Sequence, residues 1–100
     1  MSQAMKILEK KVGPVTVGML LRVHRTRNDL SQGELAQILQ VTPGFISNVE
    51  NSRKHLSLEK ILEIAKKLGS SKEYFASVWF QEEARNNGLS FEKIMKAKSA

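Results

Sequence analysis

The chain contains no cysteine, which excludes a disulfide framework and any thiolate metal site. Histidine is scarce too: His24 and His55 are the only two, and with no cysteine beside them they argue against a metal centre. His24 reads as a packed, core-edge imidazole and His55 as a loop residue near phosphate or solvent. No cofactor is expected. Long apolar runs are missing. The start, Met1-Ser2-Gln3-Ala4-Met5-Lys6, lacks the apolar stretch of a secretion signal, and no segment is long enough to cross a bilayer. A cytoplasmic protein without membrane contact is the expectation. Negative charge is in deficit: 10 Asp and Glu stand against 16 Lys and Arg, a net charge of +6. That balance favours an anionic partner, nucleic acid or an acidic protein ahead of a membrane surface. Catalytic groupings are missing as well. Spacing supports no Ser-His-Asp set, glycine-rich phosphate loop or paired-carboxylate site, and Glu82-Glu83 reads as a solvated helix face. No enzyme is expected. Hydrophobic residues nevertheless make up 41% of the 100 residues, enough for one folded domain around a single core.

What is present is concentrated between Leu30 and Glu50. Ser31 followed by Glu34 is a capping box, in which the serine hydroxyl accepts a first-turn N–H and the glutamate reaches back. Thr42 followed by Pro43 is a second helix start, a side-chain N-cap with proline at the first helical position. Between them there is room for about two turns of helix and a short connection. Leu35, Ala36 and Leu39 share one apolar face; Ile46 and Val49 share another. Val41 and Ile46 stand where a hydrophobic staple would fix the approach of the chain. The pattern is a helix-turn-helix, whose second helix is offered to the DNA major groove.

Flanking segments extend the helical reading. Ser2 to Val12 carries Met5, Leu8 and Val12 at helical spacing before Gly13-Pro14 interrupts it. This is either a loosely docked arm or a helix packing on a partner subunit. A helix begins at Thr16, with Val17, Leu20, Leu21 and His24 on one face, and ends at Asn28-Asp29. After the polar basic loop Asn51-Ser52-Arg53-Lys54-His55-Leu56, Ser57 caps a helix faced by Leu58, Ile61, Leu62, Ala65 and Leu68 and closed by Gly69. Ser70 with Glu73 makes another capping box, opening a helix towards Asn86-Asn87-Gly88. The division expected is an N-terminal arm or short helix at 1–14, a helix-turn-helix domain at 15–70 and a C-terminal helical extension at 71–100.

Residues 17 to 69 resemble the lambda-repressor-like (Cro/CI, xenobiotic-response-element) helix-turn-helix family. The resemblance rests on Leu21, Arg25, Leu30-Ser31-Gln32, Glu34-Leu35-Ala36, Val41-Thr42, Ile46-Ser47, Val49-Glu50, Leu58 and Ala65-Lys66-Lys67-Leu68-Gly69, about half the chain. It implies an all-α fold, a five-helix DNA-binding bundle here carrying the C-terminal extension, usually dimeric on an operator with inverted half-sites. It also implies a structural pair between Arg25 in the first helix and Glu50 at the end of the recognition helix. The chain departs from the family in having Ser52 where glycine is usual, Leu56 where proline is usual, His24 at a commonly aliphatic position, and Pro43-Gly44-Phe45 opening the recognition helix.

The N-terminal residues of a recognition helix meet the groove, so Thr42, Pro43, Gly44, Phe45, Ser47 and Asn48 are the candidates. Proline and glycine have no side-chain donors, which leaves Thr42, Ser47 and Asn48 as polar readers; Asn48 can pair bidentately with adenine. Phe45 can touch thymine methyl groups, with core packing as the alternative, and Gly44 permits close backbone approach. Gln32 resembles the family glutamine that clamps a phosphate. Asn51, Arg53 and Lys54 follow the recognition helix and would reach the next backbone segment.

Five aromatic residues, Tyr74, Phe75, Trp79, Phe80 and Phe91, fall in the last third of the chain. The run from Tyr74 to Phe80 is apolar on more than one face, so one stripe closes the bundle and the surplus needs another surface. Phe91, Ile94 and Met95 suggest a short last helix begun at Ser90. Tyr74, Phe75, Val78, Trp79, Phe80 and Phe91 are therefore expected at a homodimer interface, with burial under residues 90–97 or a toxin partner as alternatives. The reading is a dimeric regulator of transcription bound to double-stranded DNA, most simply a repressor. An antitoxin that also represses its own operon, or a restriction–modification controller, are the alternatives.

Overall fold

The structure, a computed structural model, describes residues 14–90 together with residues 92, 93, 96 and 97. The expected N-terminal amphipathic stretch (Met5, Leu8 and Val12) and the apolar residues Phe91, Ile94 and Met95 lie outside the described residues. Among the described residues five helices can be delimited: α1 (Val17–Arg27), α2 (Gln32–Leu39), α3 (Pro43–Glu50), α4 (Leu58–Lys67) and α5 (Lys72–Asn86). No strand occurs among the described residues.

Each helix starts on a hydroxyl and stops on a left-handed residue. Thr16, Ser31, Thr42, Ser57 and Ser71 are the N-caps, and each side chain accepts a first-turn N–H. The Ser31 box is complete: Ser31 N–H donates to Glu34 Oε1 at 2.8 Å and Glu34 N–H to Ser31 Oγ at 3.0 Å. These hydrogen bonds from Ser31 hold the Glu34 carboxyl below its ordinary value. Asp29, Gln40, Ser52, Gly69 and Gly88 have positive φ just past the helix ends, where the reversal lets following N–H groups satisfy orphan carbonyls. The fifth cap corrects the expected one. Ser70 N–H donates to Ala65 O at 2.9 Å, so Ser70 completes the end of α4 and the next residue, Ser71, begins α5.

One hydrophobic core joins all five helices. Val15, Val17, Leu21, Leu35, Ala36, Leu39, Ile46, Val49, Leu56, Ile61, Ile64, Ala65, Phe75 and Val78 are buried in it. Helix α3 packs on α1 and α2, while α5 packs on α4 and α1. The extension expected at 71–100 thus begins inside the bundle, because Phe75 and Val78 close its core. Lys67 ties the layers together, its ammonium donating to Leu39 O and Gln40 Oε1, both at 3.2 Å, across the end of α2.

Candidate nucleic-acid interface

Helix α3 is eight residues long, and its two ends have different surroundings. Glu50, at the C-terminal end, is 5% exposed and is the buried charged residue of the core. Arg25 meets it in a fork, Nε donating to Oε2 at 2.8 Å and Nη2 to Oε1 at 3.0 Å, while Arg25 Nη1 donates to Leu30 O at 3.0 Å. Arg22 Nε and Gln32 Nε2 also donate to Oε1, at 3.4 and 3.3 Å. Burial pushes the Glu50 carboxyl up. The hydrogen bonds from Arg25 and Gln32, the Arg25 charge and Arg22 outweigh it and hold the group below its ordinary value. The same end is gripped sterically: a Cβ on Gly18 of α1 would stand 2.3 Å from Val49 O.

The N-terminal end is open. Thr42, Pro43, Gly44 and Asn48 are exposed and Ser47 is half-buried. Thr42 Oγ1 accepts from Phe45 N–H at 3.0 Å, so its capping oxygen is engaged. Phe45 shows the core packing that the sequence offered as the alternative to groove contact. It is half-buried and packs on the core edge, and its ring is flanked by the ammonium groups of Lys54 and Lys60, 5.5 and 5.9 Å from the centroid.

Two expected phosphate ligands are occupied within the chain. Asn51 Nδ2 donates to Ser47 O at 2.8 Å and its Oδ1 accepts from Arg22 Nη2 at 3.3 Å; the side chain closes the end of α3 instead of reaching outward. The Gln32 amide is engaged by Glu50. Arg53 and Lys54 remain exposed, on a loop turned by Ser52 at φ 58°. Arg22 and Lys60 were not among the expected site residues. Arg22 of α1 reaches the end of α3 and Lys60 of α4 reaches Phe45, and no local motif marks such long-range convergence.

The basic loop is held from behind by α5. Trp79 Nε1 donates to Leu56 O at 2.7 Å, and His55 pairs with Glu83. Arg85 Nη2 donates to Val15 O at 2.7 Å. Glu82 is pushed up by burial, opposed chiefly by a hydrogen bond from the Val17 backbone at the start of α1. Glu82-Glu83 is therefore no solvated face, since both carboxylates meet partners far away in sequence. The expected dimer residues divide in the same way. Phe75 and Val78 are core and unavailable to a partner, and Trp79 is largely spent on Leu56 and the core edge. Tyr74 and Phe80 are exposed, as is Leu89 beyond them. Among the described residues no group of three or more His, Asp or Glu could hold a metal ion, and no helix is long and apolar enough to cross a membrane.

Comparison with known proteins agrees with this geometry. A family model described as helix-turn-helix matches residues 21–75. The fold is similar to a hypothetical transcription factor from Neisseria, at 21% identity and a TM-score of 0.54, over 84% of this chain and 81% of that one. It is also similar to the clp gene regulator ClgR from Corynebacterium glutamicum, at 26% identity and a TM-score of 0.54, over 81% of this chain and 84% of that one. No curated protein matches the chain.

Proposed function

Because the chain belongs to the Cro/CI-type (XRE) helix-turn-helix family of DNA-binding transcription regulators, we propose that it is a dimeric repressor. It reads an inverted-repeat operator through the open end of α3. The observation that carries this reading is the pairing of that exposed first turn with Lys54, whose ammonium stands 5.5 Å from the Phe45 ring, and with the exposed Arg53 next to it in the loop. Thr42, Ser47 and Asn48 supply polar contacts to base edges, and Phe45 lies where a thymine methyl can reach its ring edge. Arg53 and Lys54 contact phosphates, Pro43 and Gly44 let the backbone approach, and Gln32 and Asn51 hold the frame. The similarity to a regulator of clp genes supports a role in gene control.

Residues 15–70 supply the DNA-binding unit and residues 71–100 the dimer contact, with Tyr74 and Phe80 as its exposed aromatics. Two copies related by a twofold axis would present two α3 helices to successive major grooves. Selection of bound duplexes from a random pool tests the reading. It should enrich one sequence arranged as an inverted repeat, with light scattering giving a dimer at micromolar concentration. A pool that enriches no sequence would overturn it.

A further inference from the structure

Phe45 is the one aromatic residue outside the last third of the chain, and two cations from different elements converge on it. Lys54 comes from the loop after α3 and Lys60 from the first turn of α4; their ammonium groups stand 5.5 and 5.9 Å from the ring centroid. Two like charges, each within 6 Å of the centre of one ring, raise the local positive potential. The electron-rich ring face compensates part of it, and an anion bridging them would compensate more. The acid nearest to Lys60 does not fill that role. Glu63 Oε2 is 3.5 Å from Lys60, while Oε1 of the same carboxylate is 3.2 Å from Lys67 on the following turn.

We propose that Lys54, Phe45 and Lys60 form a phosphate-binding clamp, in which the ring positions both lysines on one DNA backbone phosphate beside the recognition helix. The inference rests on the DNA-binding reading and adds two things to it. Lys60 of α4 becomes a DNA contact, and Phe45 becomes the positioning residue for the lysine pair. The ring is well suited to that role: half-buried against the core edge, it cannot swing away, whereas each lysine alone has a long mobile stem that loses rotamer freedom on binding.

The test measures affinity against salt concentration on a short mixed-sequence DNA duplex, where backbone contacts dominate. Lys54→Gln and Lys60→Gln together should reduce the slope of log affinity against log salt by about 0.9, the value for one phosphate, each single change giving part of it. Phe45→Leu keeps an apolar side chain at the core edge but removes the ring face; Phe45→Tyr keeps it. In the Phe45→Leu background, the affinity lost on Lys60→Gln should shrink by about two- to fivefold relative to the parent. With Phe45→Tyr the full loss should return. Thermal unfolding of the same variants shows that each is folded at the assay temperature. A salt slope unchanged by Lys60→Gln overturns the clamp while leaving DNA binding intact, and equal losses in the Leu and Tyr backgrounds overturn the positioning role of Phe45. A parent protein that binds no duplex overturns the clamp together with the DNA-binding reading.

Discussion

The two ends of α3 differ more than any two helices of the molecule do. The last turn is buried, carries a charge, and is held by Arg25, Arg22, Gln32 and the bare backbone of Gly18. The first turn exposes Thr42, Pro43 and Gly44, and the half-buried Phe45 ring has two lysine ammonium groups within 6 Å of its centroid. A short helix cannot be rigidly placed and freely readable along its whole length. Here the anchoring falls on Ile46, Val49 and Glu50, so the exposed side chains between Thr42 and Asn48 can be presented to a partner in a fixed orientation. The preorganised end costs stability to disturb; the open end should change binding with little effect on folding.

The largest expected effect breaks the anchored end. Arg25→Met leaves the buried Glu50 carboxylate with only the longer bonds from Arg22 and Gln32, and losing the main partner of a buried pair costs about 3–5 kcal/mol. The double variant Arg25→Met/Glu50→Leu should recover most of that loss in urea unfolding, because no buried charge is left unpaired. Gly18→Ala comes next: a methyl placed 2.3 Å from Val49 O forces α1 away from α3, at about 1–3 kcal/mol for overpacking. At the open end, Asn48→Ala should cost about 1–3 kcal/mol of discrimination between DNA sequences. Its thermal stability should stay within about 0.5 kcal/mol of the parent. The smallest effect is a gain. Ser52 holds φ 58°, which costs a residue with a Cβ about 1–2 kcal/mol. After the entropy of a glycine is set against that relief, Ser52→Gly should stabilise the fold by about 0.5–1 kcal/mol.

Acid acts oppositely on the anchored end of α3 and on α5. The carboxyl of Glu50 is held below its ordinary value in the folded protein. Its contribution is therefore complete above the unfolded carboxylate range and is lost as pH falls through the lowered folded value. Acid unfolding should be steep in the parent and shallower in the Arg25→Met/Glu50→Leu double variant. Glu82 works the other way. Burial raises its carboxyl, so its contribution is complete below the unfolded value and is lost as pH rises through the raised one. Glu82→Gln should therefore flatten the stability profile just above the ordinary carboxylate range.

Most of the fold was legible because hydroxyl caps and apolar spacing are local signals. Thr16, Ser31, Thr42 and Ser57 each stand at the helix start that spacing assigns them. The start of α5 slipped by one residue, since Ser70-x-x-Glu73 satisfies the capping pattern while the reversal at Gly69 claims the Ser70 N–H. In α5 the run from Tyr74 to Phe80 is apolar all round, so periodicity could not separate the core stripe of Phe75 and Val78 from the exposed Tyr74 and Phe80. At the candidate interface, the residues proposed on α3 and its loop come from the motif. The roles of Arg22, Asn51, Lys60 and Glu82 depend on partners brought together by the tertiary fold, and no spacing along the chain encodes them.

The central claim is that the open end of α3, with the loop behind it, is the surface that meets DNA. Amide chemical-shift mapping of nitrogen-labelled protein, titrated with a duplex recovered from the random-pool selection, tests it most directly. The largest changes should fall on Thr42 to Asn48 and Ser52 to Lys54, with Lys60 joining them and the groove between α1 and α5 around Val23 and Tyr74 little altered. Changes centred on that groove, with the first turn of α3 unmoved, would contradict the account.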